Sequence, residues 1–431
     1  MTVRPPSVDS LARSLAHIDL PHPLLVDAAR QAIAAGDAST AESIAFEIWN
    51  SLLRPVINAT GILAHTNLGR APLGNPPQAS TSSVRGSNLE FDLRTGQRGS
   101  RQAGIGRLLA RICGADDALV VNNNAAAVLL VLAALAEGRE VAVSRGESVE
   151  IGGGFRVPEV MEQSGARLID VGTTNRTRLN DYRKAVNRRH ADIALILKVH
   201  PSNYRIEGFT ESTSVEDLAT LGPPVVADIG SGLLDSSCPW LSSGTPMWLN
   251  GEPAARQSLA AGAALITFSA DKLMGGPQAG IIAGRADLVR ACAAHPLARA
   301  LRPGGLVLAA LHRTALAYLD KSAEQTIPFW HMAAISESTL TDRANQITNV
   351  TNLGQVVSCS SLPGAGSVPG ASIPSVGIAI NGDHAKRLRE FAPPIIARVK
   401  DNQTILDLRT VDPTDDPVLI QALSALASTA G

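Results

Sequence analysis

Aromatic residues are scarce, with Phe, Trp and Tyr making up 3% of 431 residues, so any core must be filled by alanine, leucine, isoleucine and valine. Cysteine is scarce too. The four thiols, Cys113, Cys238, Cys292 and Cys359, show no paired spacing, which excludes a disulfide framework and a cysteine-based zinc site. Neither charge sign dominates: 38 Lys and Arg stand against 39 Asp and Glu, so no global attraction draws the chain to nucleic acid, and any RNA site must be local. The longest apolar run, near Ala125 to Ala136, is too short to cross a bilayer, and Asp9 and Asp19 interrupt the region where a signal peptide would be apolar. These absences predict a cytoplasmic protein, and the length leaves room for two or three domains.

What is present is an alternation. From Cys113 to Ala283, strand-like apolar runs at Ala118–Val121, Glu140–Val143, Arg167–Val171, Ile193–Val199, Val225–Asp228, Leu265–Phe268 and Ala279–Ala283 are separated by helix-like segments. That pattern predicts an α/β domain with a mostly parallel seven-stranded sheet covered on both faces. Ligands on such sheets lie beyond the C-terminal ends of the strands. Three polar features fall there: Asn122, Asn123 and Asn124 after the first run, Asp228 at the end of PVVAD, and Lys272 in ITFSADKLMGG.

Each feature suggests chemistry and has a plainer reading. A lysine in a desolvated pocket gives up its proton readily, and its free amine condenses with an aldehyde such as that of pyridoxal 5'-phosphate; Gly275 and Gly276 leave room for a flat ligand. Otherwise Lys272 is a solvated loop charge. Asp228 beside the cofactor's ring nitrogen would keep that nitrogen protonated; otherwise it caps a turn. The asparagine turn opens a helix whose free N–H groups, aided by Ser269, suit a phosphate; otherwise it is an ordinary helix cap. Convergence of all three at one end of one sheet favours a common site, with Lys272 and Asp228 as its catalytic pair.

Several longer runs, INATGILAHTNLGRAPL (57–73), NNNAAAVL (122–129), VSRGESVEIGG (143–153), VGTTNR (171–176), KVHPSNYRIEGF (198–209), the stretch 270–280 and HPLARALR (295–302), resemble the bacterial selenocysteine synthases, the L-seryl-tRNA(Sec) selenium transferases. The likeness spans nearly the whole chain. It implies the aspartate-aminotransferase-like fold type I of pyridoxal-phosphate enzymes, with a small α+β C-terminal domain. It also implies exchange of a serine hydroxyl for selenium on seryl-tRNA(Sec), by loss of water and then addition of selenium from selenophosphate, in a homo-oligomer built from dimers into a probable decamer. On the same likeness His200 lies near the cofactor, Arg145 and Glu147 accompany it, and Arg70, Arg299 and Arg302 take the selenophosphate. Arg299 and Arg302, three apart, would share one helix face and clamp one oxyanion. One departure is Ala270, where the family pattern suggests glycine. A related lyase acting on a small phosphorylated amino acid or amino sugar acid, and a non-catalytic scaffold, are the competing readings.

Residues 1–55 predict a helical N-terminal domain with helices near Val8–Ala16, Leu24–Ala35 and Ala41–Leu53. It carries four arginines against six acids, so it binds tRNA by shape or serves as an arm between subunits. Residues 56–295 form the expected cofactor-binding domain and 296–431 the small domain, with strands near Ser375–Ile380, Ile395–Val399 and Ile405–Leu408. The window Arg85–Arg111 holds six arginines against Glu90 and Asp92, either a tRNA contact or a solvated face. The small domain, which includes the Pro-, Gly- and Ser-rich loop Ser361–Ser375, should close over the site. Gly152–Gly154 lacks the context of a dinucleotide fingerprint, and no metal or DNA is expected.

Overall fold

The computed structural model describes residues 6–74, 86–151, 154–364 and 366–428. The chain divides into two compact units, one running up to Val56 and taking in Ala392–Pro394, the other comprising the rest.

The first unit holds helices Val8–Ser14, His22–Ala34 and Ala41–Ser51. Ser7 caps the first by accepting the Ser10 amide at 3.2 Å, and Gly36, at φ 80°, terminates the second. Ala12, Ala28, Ala29, Ala32, Ala41 and Ala45 are buried against Leu15 and Leu25, small side chains that let the helices approach closely.

In the second unit we label strands β1 (Ile57–Ala59), β2 (Asp117–Val121), β3 (Glu140–Ser144), β4 (Arg167–Val171), β5 (Ile193–Val199), β6 (Val225–Gly230), β7 (Leu265–Ser269), β8 (Gly280–Gly284), β9 (Gln355–Ser361), β10 (Ile373–Asn381), β11 (Ile395–Lys400) and β12 (Gln403–Asp407). The seven expected runs are the seven strands of one sheet, in the order β2-β8-β7-β6-β5-β3-β4. Only β8 runs against its neighbours. Strands β6, β7 and β8 are buried along their whole length, as an apolar run without alternation requires. Alternation instead sorts residues between the two faces: Val226 and Leu265 join the core beneath helix Asn124–Ala136, while Ala227, Ile229, Ile266 and Phe268 join the core beneath helices Ala103–Cys113 and Gly305–Leu319. Leu308, Leu311, Ala315 and Tyr318, from the stretch after Ala294, thus pack on the large sheet.

A five-stranded sheet in the order β1-β11-β12-β10-β9 forms the second core, with helices Glu337–Thr351 and Asp416–Ala427 against it. Two of its strands were not expected. Ile57–Ala59 reads as loop because it is only three residues long, yet it pairs in parallel with β11; Gln355–Ser361 is a serine-rich edge whose half-exposed residues lack an apolar face. Burial pushes all four thiols up to about 12, so they are unreactive at neutral pH. Among the described residues no helix is long and apolar enough to cross a membrane.

Candidate active site

The large sheet brings its three polar features to one edge. In β6, Asp228 shares a face with Val226, the face covered by helix Asn124–Ala136. Asn124 opens that helix, and its Nδ2 donates to Asp228 Oδ1 at 2.8 Å, while the Gly230 amide donates to the same oxygen at 3.1 Å. Burial raises the Asp228 pKa, opposed by the Asn124 hydrogen bond and by the charge of Lys272. A cation reaching this carboxylate would restore its ionisation.

Lys272 follows β7 on a tight turn. The turn is held by Leu273 N–H to Ser231 O at 2.9 Å and Gly276 N–H to Ala270 O at 2.8 Å, while the Tyr318 hydroxyl donates to Met274 O at 2.9 Å. Gly275 adopts φ 66° against Ile327, where a Cβ would come within 2.4 Å of the isoleucine, so no other residue fits that corner. Ala270 is fully buried and its methyl is accommodated. Lys272 itself is 7% exposed, and among the described residues its amine makes no hydrogen bond or ion pair. Burial lowers its pKa; Asp228 opposes that shift, Arg70 adds to it, and Asp271 and Glu252 oppose it. Burial thus favours the neutral, nucleophilic form of the amine relative to a solvated lysine.

The asparagine turn is in register with the lysine strand. Ser269 pairs with Gly280, and Gly280 with Val121, so the ends of β7 and β2 lie at one level, about 10 Å apart across β8. Asn123 caps the helix, its side chain accepting the Ala126 amide at 2.8 Å. The close approach of Gly280 to Asn123 O, 2.0 Å from where a Cβ would be, makes that junction glycine-specific. Asn122 is exposed and its N–H donates to Leu301 O at 2.8 Å.

His200 follows β5, its N–H donating to Asp228 O at 2.9 Å. It lines a cavity of ≈ 500 Å³ together with Asp228, Glu147, Lys198, Asn175 and Arg176. Glu147 is buried and pairs with Lys198; burial raises its pKa and Lys198 opposes the rise. Arg145 instead faces Asp170 at 3.6 Å.

A profile described as SelA, L-seryl-tRNA selenium transferase, matches residues 56–412. The L-seryl-tRNA(Sec) selenium transferase of Moorella thermoacetica is 46% identical over 399 residues, 88% of this chain and 82% of its own. The chain belongs to the L-seryl-tRNA selenium transferase family. The Geobacter sulfurreducens L-seryl-tRNA(Sec) selenium transferase is 41% identical, covering 97% of this chain and 96% of its own. Among solved structures, that of a D-glucosaminate-6-phosphate ammonia-lyase superposes with a TM-score of 0.62 at 21% identity, covering 89% of this chain and 98% of that one, and the fold is the expected fold type I.

In this selenium transferase family member Arg70 and Arg302 face different acids, Asp271 and Glu90. Arg70 sits at φ 65°, a strained position for arginine, with its Nη1 donating to both Asp271 oxygens at 3.2 and 2.9 Å. Arg299 is exposed, on the short helix Leu297–Ala300, whereas Arg302 lies past the end of that helix. The expectation that the two share a helix face is therefore corrected: Pro303 stops the helix, and Arg302 instead comes within 3.9 Å of Glu90. Glu90 also binds Arg98 at 3.1 Å and Arg101 at 2.8 Å, which neutralises part of the basic window; Arg85 lies outside the described residues.

Three residues near the lysine escaped the sequence reading. Asp271 looked like a loop acid and holds Arg70. Gly366, in the loop Ser361–Ser375, packs against the lysine amine, with a Cβ there 2.9 Å from Lys272 Nζ. Glu252, in a segment without any recognisable pattern, contacts His200. Their signal is tertiary: none belongs to a periodic element that points at the site.

Proposed function

We propose that this protein is an L-seryl-tRNA(Sec) selenium transferase that uses pyridoxal 5'-phosphate to replace the serine hydroxyl with selenium from selenophosphate. The observation that carries the reading is a buried Lys272 amine, unpaired among the described residues, within electrostatic reach of a buried Asp228, in a chain 46% identical to a protein of that name. The residues suit the cofactor: beyond the lysine and the acid, buried Asn124 Oδ1, Ser202 Oγ and Ser231 Oγ have no partner among the described residues, as expected of groups that await a polar ligand. Lys272 would hold the cofactor, Asp228 its ring nitrogen, Asn122, Asn123, Asn124 and Ser269 its phosphate, and His200 a polar edge.

When bound, pyridoxal 5'-phosphate accepts the electron pair left behind as the serine Cα proton departs. Lys272, whose neutral form burial favours, takes that proton. Asp228, oriented by Asn124 and Gly230, holds the proton on the ring nitrogen. The serine hydroxyl leaves from Cβ as water, taking the proton that Lys272 removed from Cα; selenium then bonds to Cβ as Lys272 returns a proton to Cα, and a water molecule adds to phosphorus as the Se–P bond breaks, so that phosphorus leaves as phosphate. Arg70, Arg299 and Arg302 bind the selenophosphate, which would draw Arg70 and Arg302 from their present partners Asp271 and Glu90. The protein works as a homo-oligomer with a dimer as its unit, a decamer by family likeness. The loop carrying Gly366 keeps water from the lysine. The helical segment 1–55 contacts tRNA by shape, the seven-stranded sheet with the helices packed on it, Gly305–Leu319 among them, binds the cofactor, the five-stranded sheet and its helices form the small domain, and the protein works in the cytoplasm. The lyase reading, whose support is the net-acidic N-terminal segment, is set aside because relatives 41–46% identical are selenium transferases, while the ammonia-lyase likeness at 21% identity bears on the fold alone.

Incubation with seryl-tRNA(Sec) and selenophosphate should yield selenocysteinyl-tRNA, and borohydride should fix the cofactor on the peptide containing Lys272. Lys272→Ala should lose both. Ammonia or pyruvate released from small amino acids, with no selenium transferred, would sink the reading.

A further inference from the structure

Glu252 has no role in the chemistry above, yet it is the buried carboxylate that touches His200. It lies on the loop between the turn Met247–Leu249 and helix Ala255–Ala260, which the Ala255 N–H ties to Leu233 O at 2.8 Å. Its side chain is 2% exposed and its Oε2 is 3.2 Å from His200 Nε2. Among the described residues its Oε1 is buried with no hydrogen-bond partner, an arrangement that is costly and is seldom kept in folded proteins without a role.

A carboxylate only accepts hydrogen bonds, so contact with Glu252 places the ring hydrogen on Nε2 and leaves Nδ1 as the acceptor. Among the described residues Nδ1 has no hydrogen-bond partner, and His200 lines the cavity that reaches Asp228. We propose that Glu252 is a positioning residue that fixes the tautomer and orientation of His200, so that Nδ1 meets the bound pyridoxal 5'-phosphate or its substrate as an acceptor. The inference rests on the reading that the site holds this cofactor. The charged groups around the pair are Lys272, which Glu252 influences electrostatically, Asp228 through its backbone, and Glu147 with its partner Lys198.

The test is binding of pyridoxal 5'-phosphate to cofactor-stripped protein, followed by its visible absorbance, in a cycle with His200→Asn. Glu252→Ala should weaken binding on the order of 10-fold and shift the pH midpoint of the band, whereas Glu252→Gln, whose carbonyl still accepts from Nε2, should retain most of the affinity. On the His200→Asn background Glu252→Ala should change binding less than about 2-fold. An equal loss on both backgrounds, which would mean that Glu252 acts on Lys272 or on folding, overturns the proposal, as does no loss on either. Failure of the unaltered protein to bind the cofactor would instead overturn the functional reading.

Discussion

Lys272 lies in the core without a counter-ion in contact, and its reactivity follows from charges somewhat farther off. Burial disfavours its cationic form, so its pKa falls below the ordinary 10.5; Asp228 pushes it back up and Arg70 pushes it down. Reductive methylation of cofactor-stripped protein, which modifies only neutral amines, should therefore label Lys272 at a lower pH midpoint than the surface lysines. Asp228→Asn should lower that midpoint further, since it removes the opposing charge, and Arg70→Ala should raise it. Peptide mass spectrometry reads all three, and a midpoint matching Lys184 or Lys386, or a shift of the opposite sign, would contradict this account. Lys272 and Asp228 were legible because each ends an apolar strand, where topology leaves few destinations. Glu252 and Asp271 were not, since a buried acid looks the same in sequence as a solvated one until its partner arrives from a distant segment.

At the scale of elements, the loop after β9 meets the lysine turn through Gly366. Its φ of 80° and its contact with Lys272 Nζ both exclude a side chain. Gly366→Ala should weaken pyridoxal 5'-phosphate binding by roughly 10-fold or more, combining about 1–2 kcal/mol of backbone strain with displacement of the amine. Gly208→Ala, at φ 101° but in open space, serves as the control for strain alone and should leave cofactor binding unchanged while lowering the melting temperature by a few degrees. Equal effects of the two on cofactor binding would show that contact with the lysine is irrelevant. The seven central strands were legible because they are continuous apolar runs. The edge strands β1 and β9 were not, because short or half-exposed segments carry no period, and their pairing is imposed by β11 and β10.

At the scale of the whole molecule, the segment up to Val56 has its own alanine-rich core, separate from the four that serve the rest of the fold. A chain starting at Ile57 should therefore bind pyridoxal 5'-phosphate as the full chain does but lose at least about 10-fold in affinity for seryl-tRNA(Sec), if the helical segment grips RNA as proposed. Filter binding and absorbance titration separate the two effects; undiminished tRNA binding would assign the segment to subunit assembly instead. Sequence could not decide this, because a segment with four arginines against six acids offers no electrostatic signature.

The reversed strand β8 lies between β2 and β7, joining Val121 to Gly280 across some 160 positions of chain. During synthesis, the turn for the phosphate and the turn for the amine stay unaligned until Gly284 has emerged, while the opening helices close on neighbours a few dozen positions away. A nascent chain arrested before that strand would present a folded leading segment and no competence for coenzyme, so translation itself sets when this catalyst can first be charged.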